Sequence, residues 1–335
     1  MAIQDSTTIM AETIRAILAP RKGILAADES FPTIKKRFDS VKVESTEENR
    51  RAYRELLFTT PNLERYISGV ILFDETVRQS TGGKTFPPYL TARGIVPGIK
   101  VDGGTVELPG LKKEKVTQGL DGLSKRLKEY YELGARFTKW RAVFTIGPGL
   151  PSHAATAANA HALARFAAAS QSENLVPIVE PEVLMNGEHA IEDCERVTET
   201  TLRMVFAALV EQGVVLENML LKCGMVLAGD KSRTPADDAA VARATLLCFR
   251  RSVPAAVPGI VFLSGGQSSD DATRRLAAIC AEGKSNAPWK LSFSYGRALQ
   301  DDPLHTWKGS SANVASAQQA LLSRAEKNSA ALSDH

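Results

Sequence analysis

The sequence predicts a single α/β domain, a (β/α)8 barrel with an extra N-terminal helix and a C-terminal helical extension. Three observations predict it. Eight short apolar runs rich in β-branched residues recur along the 335 residues, most of them closing on a polar or charged residue. Segments with helical period and helical punctuation separate them. The runs are near-continuous rather than alternating, as strands of a parallel sheet covered on both faces should be. Eight units suit a closed barrel better than a doubly wound sheet, which more often has about five or six strands. The units share a rough spacing but no sequence similarity, so they form one architecture and not a solenoid. No Pro/Gly/Ser-rich linker divides residues 1–335.

In chain order the strand readings are Gly23–Asp28, Ile67–Asp74, Gly94–Val101 and Ala135–Phe144, then Val176–Glu182, Asn218–Val226, Gly259–Gln267 and Trp289–Arg297. An amphipathic helix from about Ser6 precedes them. Ser45-Thr46-Glu47-Glu48 reads as a capping box opening a helix. Leu120, Leu123, Leu127, Tyr130 and Tyr131 share a helical face that ends at Leu133, with Gly134 in the C′ position. Ala154–Ala169 is alanine-rich, and Val197, Leu202, Val205, Phe206 and Leu209 line another helical face. Ser268-Ser269-Asp270-Asp271 offers a cap and first-turn acids ahead of Leu276 and Ile279. Asn313–Leu332 is the last helix, and Lys327–His335 is expected to fray.

Composition sets the class. A hydrophobic content of 44% with 24% charged residues excludes disorder as the main state. With 41 Lys+Arg against 38 Asp+Glu, a net charge of +3 gives no electrostatic case for nucleic acid or a membrane surface. No apolar stretch approaches the roughly 18–20 residues that span a bilayer. The start lacks a basic segment before an apolar core, so a cytoplasmic location is expected. The four cysteines, Cys194, Cys223, Cys248 and Cys280, form no C-x-x-C pair and are expected to be reduced thiols.

Charges inside strands carry the functional signal. Asp28 closes the first run and Arg297 the eighth; the third carries Lys100, the sixth Lys222, the fourth Lys139 and Arg141, and the fifth Glu180 and Glu182. A spacing of two puts each pair on one face of its strand. One such charge reads as a structural ion pair or a solvated rim group. Six strands doing the same at the C-terminal ends read as a converging site, on the face where barrel enzymes place their chemistry. Cations mixed with carboxylates suit an anionic substrate and acid–base work.

A lysine at its ordinary pKa is protonated and cannot attack a carbonyl; burial or a neighbouring cation frees the amine. Lys222, preceded by Leu220 and Leu221, is the most apolar-flanked of Lys100, Lys139 and Lys222, and Lys139 is a candidate cationic neighbour. Residue chemistry alone leaves Lys222 two roles, nucleophile or phosphate cation. Ser264-Gly265-Gly266-Gln267 runs from a strand through a glycine turn into a helix start, and Ser294-Tyr295-Gly296-Arg297 repeats the device with an arginine. Backbone amides at such turns accept oxyanions, and barrels recurrently bind phosphate after strands seven and eight. Other signals fail. Gly82-Gly83-Lys84-Thr85 lacks the first P-loop glycine, Arg78 standing there, and the five histidines form no metal-ligand pattern.

The segments GILAADES (23–30), GVILFDET (69–76), GIKVD (98–102), KWR (139–141), VPIVEPE (176–182), LLK (220–222), FLSGGQS (262–268) and SFSYGRALQ (292–300) closely resemble class I fructose-1,6-bisphosphate aldolases, in the same order and over nearly the whole chain. The resemblance implies a metal-free, cofactor-free barrel enzyme, usually a homotetramer, that cleaves fructose 1,6-bisphosphate reversibly to dihydroxyacetone phosphate and glyceraldehyde 3-phosphate. Lys222 then resembles the Schiff-base lysine and Glu180 the proton shuttle for carbinolamine dehydration. Asp28 matches the base at the four-position hydroxyl, Lys139 the cation steering the imine chemistry, with Glu182 and Arg141 its charged neighbours. Ser264, Gly265, Gly296 and Arg297 fall where the family binds the phosphate of the dihydroxyacetone half, and Ser294, in the second glycine turn, is a further substrate-binding candidate. Arg37, Lys100 and Thr33 fall at the other phosphate, Thr33 standing where serine is commoner.

Three departures stand out. Cys223-Gly224-Met225 replaces the family's Pro-Asn-Met beside the nucleophile, and Cys223 is there an expected oxidation liability. Gly103-Gly104 replaces a lysine–glycine pair, removing a rim cation, and the sequence ends at His335 without the animal enzymes' terminal tyrosine. The competing expectations are a Schiff-base aldolase for another ketose phosphate, such as sedoheptulose 1,7-bisphosphate, and a non-catalytic sugar-phosphate-binding scaffold.

Overall fold

The computed structural model describes residues 2–332. Eight parallel strands close a barrel in chain order: β1 (Gly23–Ala26), β2 (Ile67–Leu72), β3 (Val96–Lys100), β4 (Phe137–Phe144), β5 (Val176–Val183), β6 (Leu220–Cys223), β7 (Gly259–Phe262) and β8 (Lys290–Tyr295), which pairs back onto β1. Every strand falls within the apolar run that predicts it, or within one residue of its end. The readings overshoot mostly at C-terminal ends, because the last residues of most runs belong to the loops above the barrel.

Among the described residues twelve α-helices accompany the strands: α1 (Ala2–Ile17), α2 (Phe31–Ser40), α3 (Glu47–Phe58), α4 (Asp74–Arg78), α5 (Phe86–Ala92), α6 (Leu123–Glu132), α7 (His153–Ser172), α8 (Ile191–Glu211), α9 (Asp238–Ser252), α10 (Ser269–Gly283), α11 (Arg297–Trp307) and α12 (Val314–Ala330). Local sequence sets their ends. Gly134, at φ +107°, ends α6, with the amides of Gly134 and Ala135 returning to the carbonyls of Tyr131 and Tyr130, a Schellman closure. Ser268 caps α10 by accepting from the Asp271 amide. The expected capping box is displaced by one residue: Thr46 caps α3 by accepting from the Asn49 amide at 3.2 Å, so Glu48 does not occupy the N3 position.

Two hairpins lie outside the barrel. Gly82 and Gly83, both at positive φ, turn the chain between Ser80–Thr81 and Lys84–Thr85, so the glycine pair of the rejected P-loop is a tight turn. The second hairpin, Thr105–Leu108 with Leu111–Thr117, is absent from the sequence reading. The expected fraying from Lys327 is also corrected. α12 runs to Ala330, Thr273 Oγ1 donates to Asn328 Oδ1 at 2.6 Å, and Ser329 Oγ donates to the Arg21 carbonyl at 2.6 Å. Residues 333–335 lie outside the described residues.

The barrel interior positions the site. Ile24, Ala26, Ile71, Phe137, Val176, Ile178, Leu220 and Val261 form one buried cluster with Met10, Ile14 and Ile17 of α1 and Leu18 just past it, so α1 closes the N-terminal end of the barrel. Phe137 fills the middle at the expense of its neighbour: a Cβ on Gly98 would lie 2.2 Å from the Phe137 ring. Side chains on one strand face recur every second residue. Two residues beyond Phe137, Ile178 and Leu220 the inward positions are therefore Lys139, Glu180 and Lys222. The apolar plug ends where the chemistry begins.

Candidate active site

A cavity of about 330 Å³ opens at the C-terminal mouth of the barrel. All fourteen residues singled out from sequence line it. Its floor is a chain of charges. Asp28, just past the end of β1, holds the Lys139 ammonium at 2.6 Å. Glu180 places Oε2 3.3 Å from Lys139 Nζ and Oε1 3.2 Å from Lys222 Nζ. Strand register explains the order: β4 and β5 pair Arg141 with Glu180, β5 and β6 pair Val179 with Leu221, and so Glu180 and Lys222 rise side by side. Lys139, Glu180 and Lys222 are each at least 95% buried.

The expectation that Lys139 acts on Lys222 as a bare cationic neighbour is refined by this geometry, since one carboxylate stands between the two amines. Burial alone would lower the Lys139 ammonium, but the charges of Asp28 and Glu180 outweigh it and hold Lys139 above the usual lysine range. Burial likewise pushes the Asp28 carboxyl up, and the charges of Lys139, Lys222 and Lys100 together outweigh that, leaving it well below the usual carboxylate range. Asp28 is thus a carboxylate and Lys139 an ammonium at any ordinary pH.

The walls carry the remaining charges. Arg141 donates to Glu182 from β4 to β5, leaving the guanidinium partly exposed in the cavity. Lys100 at the end of β3 donates to the side chain and the carbonyl of Asp102. Across the mouth, Gly265 takes φ +53° in the turn after β7, and Gly296 is the N-cap of α11. Arg297 opens that helix and donates to the Gly265 carbonyl, tying the two glycine turns together. Ser294 Oγ, at the top of β8, is buried without a hydrogen-bond partner. Two turns, a helix N-terminus, Ser264 and Arg297 converge on one end of the cavity, an arrangement made for an oxyanion. On the α2 side, Thr33 Oγ1 lies 3.2 Å from Ser30 Oγ, and Arg37 reaches back toward α11.

Sequence reasoning missed Glu29, Ser30, Asp102, Gly104 and Thr105, which also line the cavity. Glu29 and Asp102 stand inside the motifs AADES and GIKVD, so their signal was present and unused. Cys223 corrects a further expectation. It is buried on the outer face of β6, and burial holds its thiol well above the usual range, so it is not an oxidation-prone thiolate. Among the described residues, no group of three or more His, Cys, Asp or Glu is arranged to hold a metal ion.

Fold and cavity together define a class: a (β/α)8 barrel with alternating lysines and carboxylates on the floor of a cation-rimmed cavity. Comparison with known proteins then gives the family. Residues 9–335 match the family described as fructose-bisphosphate aldolase class-I. The chain is 56% identical over 321 residues to a probable fructose-bisphosphate aldolase class 1 of Xanthomonas axonopodis pv. citri, covering 95% of this chain and 96% of that protein. It is 54% identical over 313 residues to the cytosolic fructose-bisphosphate aldolase 4 of Arabidopsis thaliana, covering 93% and 79%. A Plasmodium falciparum fructose-bisphosphate aldolase, solved in complex with TRAP and a small-molecule inhibitor, superposes with a TM-score of 0.95 at 50% identity, covering 98% of this chain and 94% of that one. The chain belongs to the class I fructose-bisphosphate aldolase family. It is a lyase.

Proposed function

We propose that this chain cleaves fructose 1,6-bisphosphate reversibly to dihydroxyacetone phosphate and glyceraldehyde 3-phosphate through an imine on Lys222. The observation that carries the assignment of roles is the chain Asp28–Lys139–Glu180–Lys222. The Lys222 amine, once neutral, adds to the ketone carbon to give a carbinolamine. Glu180 is within hydrogen-bonding reach of that amine and moves the proton that lets water leave. The protonated imine is an electron sink, so the bond between carbons three and four breaks toward it and an enamine remains. Asp28 takes the proton of the four-position hydroxyl. In the ligand-free geometry it is engaged by Lys139, so the incoming hydroxyl must compete for the carboxylate, which raises its basicity at the moment it is used.

The phosphate of the dihydroxyacetone half is assigned to Ser264, Gly265, Ser294, Gly296 and Arg297, and the other to Thr33, Arg37 and Lys100, with Arg141 and Glu182 framing the sugar between them. The sugar phosphates are the partners; no bound cofactor is needed for this sequence of steps, and a family-like homotetramer in the cytoplasm is the assembly and location we propose, on one barrel domain spanning residues 1–335. No described helix is long and apolar enough to cross a membrane. A substrate panel tests the reading: turnover on fructose 1,6-bisphosphate is expected to exceed that on sedoheptulose 1,7-bisphosphate, and the reverse order would move the assignment to the longer ketose.

A further inference from the structure

Glu29 is out of place on electrostatic grounds. It lines a cavity built for an anion, yet it is a buried carboxylate, and a bare negative charge there repels a phosphate. Its partners resolve the conflict. Oε2 lies 2.6 Å from Nη2 of Arg54, a guanidinium on α3 that is itself 3% exposed. Oε1 accepts from Arg37 Nη1 and, at 2.8 Å, from Gln300 Nε2. The same Gln300 amide donates to the carbonyl of Ala26, the last residue of β1, at 2.7 Å. Of the three side chains that hold the carboxylate, Arg37 lines the cavity with Glu29, whereas Arg54 and Gln300 are not among its lining residues. Its free Nη2 stands 3.4 Å from the place a Cβ on Gly296 would occupy, beside the first turn of α11. Arg54 and Gln300 fix the carboxylate from the protein side; the carboxylate in turn fixes one edge of the Arg37 guanidinium and leaves the other edge to the ligand.

We propose that Glu29 is a positioning residue that strengthens anion binding by aiming Arg37 across the mouth of the cavity, more than its own charge weakens it. The inference rests on the reading of this cavity as a sugar-phosphate site. It makes a prediction of sign. If Glu29 acts only through its charge, Glu29→Gln removes a repulsion and lowers KM for fructose 1,6-bisphosphate. If it acts through Arg37, the substitution frees the guanidinium and raises KM.

The experiment is a double-mutant cycle in kcat and KM on the full chain, with Glu29→Gln, Arg37→Ala and the pair. The expected result is a KM raised about ten-fold in E29Q with kcat changed less than about three-fold. In the R37A background E29Q is expected to add less than about two-fold, because its route of action is already gone. A KM that falls or stays constant in E29Q overturns the proposal, as does a ten-fold effect that persists without Arg37. Glu29→Asp keeps the charge that Arg54 requires and draws the carboxylate back by one methylene. If E29Q does not fold, E29D decides: a KM raised several-fold supports the proposal, and an unchanged KM overturns it. Imine trapping on Lys222 in the unsubstituted protein reports on the underlying functional reading alone. Absence of that imine would remove the reading, whereas an imine together with an unmoved KM in E29Q would remove only the role of Glu29.

Discussion

The Oε1 atom of Glu180 stands 3.2 Å from Nζ of Lys222, while the other oxygen of the same carboxylate stands 3.3 Å from Lys139. One acid therefore contacts two amines that sit in different surroundings. Lys139 has a second carboxylate in Asp28 and is held charged; Lys222 has Glu180 as its ion-pair partner, and only Lys222 lies free of a second acid among the ion pairs of the floor. That asymmetry supports the proposed division of roles, Lys222 as nucleophile and Lys139 as permanent cation.

Replacing Lys222 by Met keeps the side-chain length in a buried site and removes the amine. Turnover is expected to disappear. Thermal unfolding is expected to change modestly, because Glu180 retains Lys139 as its partner. Steady-state assays beside a thermal melt check both halves, and normal turnover in K222M would remove Lys222 as nucleophile.

Glu180→Gln is expected to slow turnover by about a hundred- to ten-thousand-fold, the range of a lost general acid–base group. The amide conserves shape and cannot accept the proton. Rapid-mixing kinetics should place the loss in imine formation, with substrate binding little altered.

The pairing of Asp28 and Lys139 has a pH signature. The Asp28 carboxyl is held below its ordinary 3.8, so its contribution to stability is complete above that pH and is lost as pH falls toward the lowered value. Lys139 is held above its ordinary 10.5, so its contribution is complete below that pH and fades only as pH rises beyond it. The stability difference between the unsubstituted chain and Asp28→Asn should thus be flat from neutral pH down to about pH 4 and shrink below it. Denaturant titrations across that range provide the check.

Gly98→Ala tests the link between barrel packing and the site. The added Cβ meets the Phe137 ring at 2.2 Å, so ring or backbone must move, at a cost of about 1–3 kcal/mol. Lys100 lies two residues further on the same strand face, and KM is expected to rise with the loss of stability. A native melting temperature with unchanged KM would show that the interior yields without disturbing the mouth.

Native alkylation separates two views of Cys223. With the thiol buried and its pKa raised, iodoacetamide is expected to leave Cys223 unmodified in folded protein and to reach it only after denaturation. Peptide mass spectrometry reads the outcome.

The barrel was legible because its strands are buried on both faces, which writes them as unbroken apolar runs such as Val70-Ile71-Leu72 and Ile260-Val261-Phe262. The floor of the site was legible for the complementary reason: a charge such as Lys139 or Glu180 two residues beyond a core position interrupts that pattern. The hairpin Thr105–Thr117 was not legible, because Leu111–Thr117 carries Lys112, Lys113, Glu114 and Lys115 and shows neither period; only Pro109-Gly110 marked its turn. Glu29 escaped because its partners come from distant segments. Arg37, Arg54 and Gln300 lie on three different helices, and nothing local says that they meet. The tail was misread for the same reason, since Asn328 and Ser329 are fixed by Thr273 and Arg21.

The most direct test of the central claim is borohydride reduction in the presence of dihydroxyacetone phosphate and EDTA, followed by peptide mass spectrometry. A stable adduct is expected on Lys222, and none on Lys139 or Lys100. Folded protein that binds the sugar phosphate and yields no adduct, or yields one on another lysine, would contradict it.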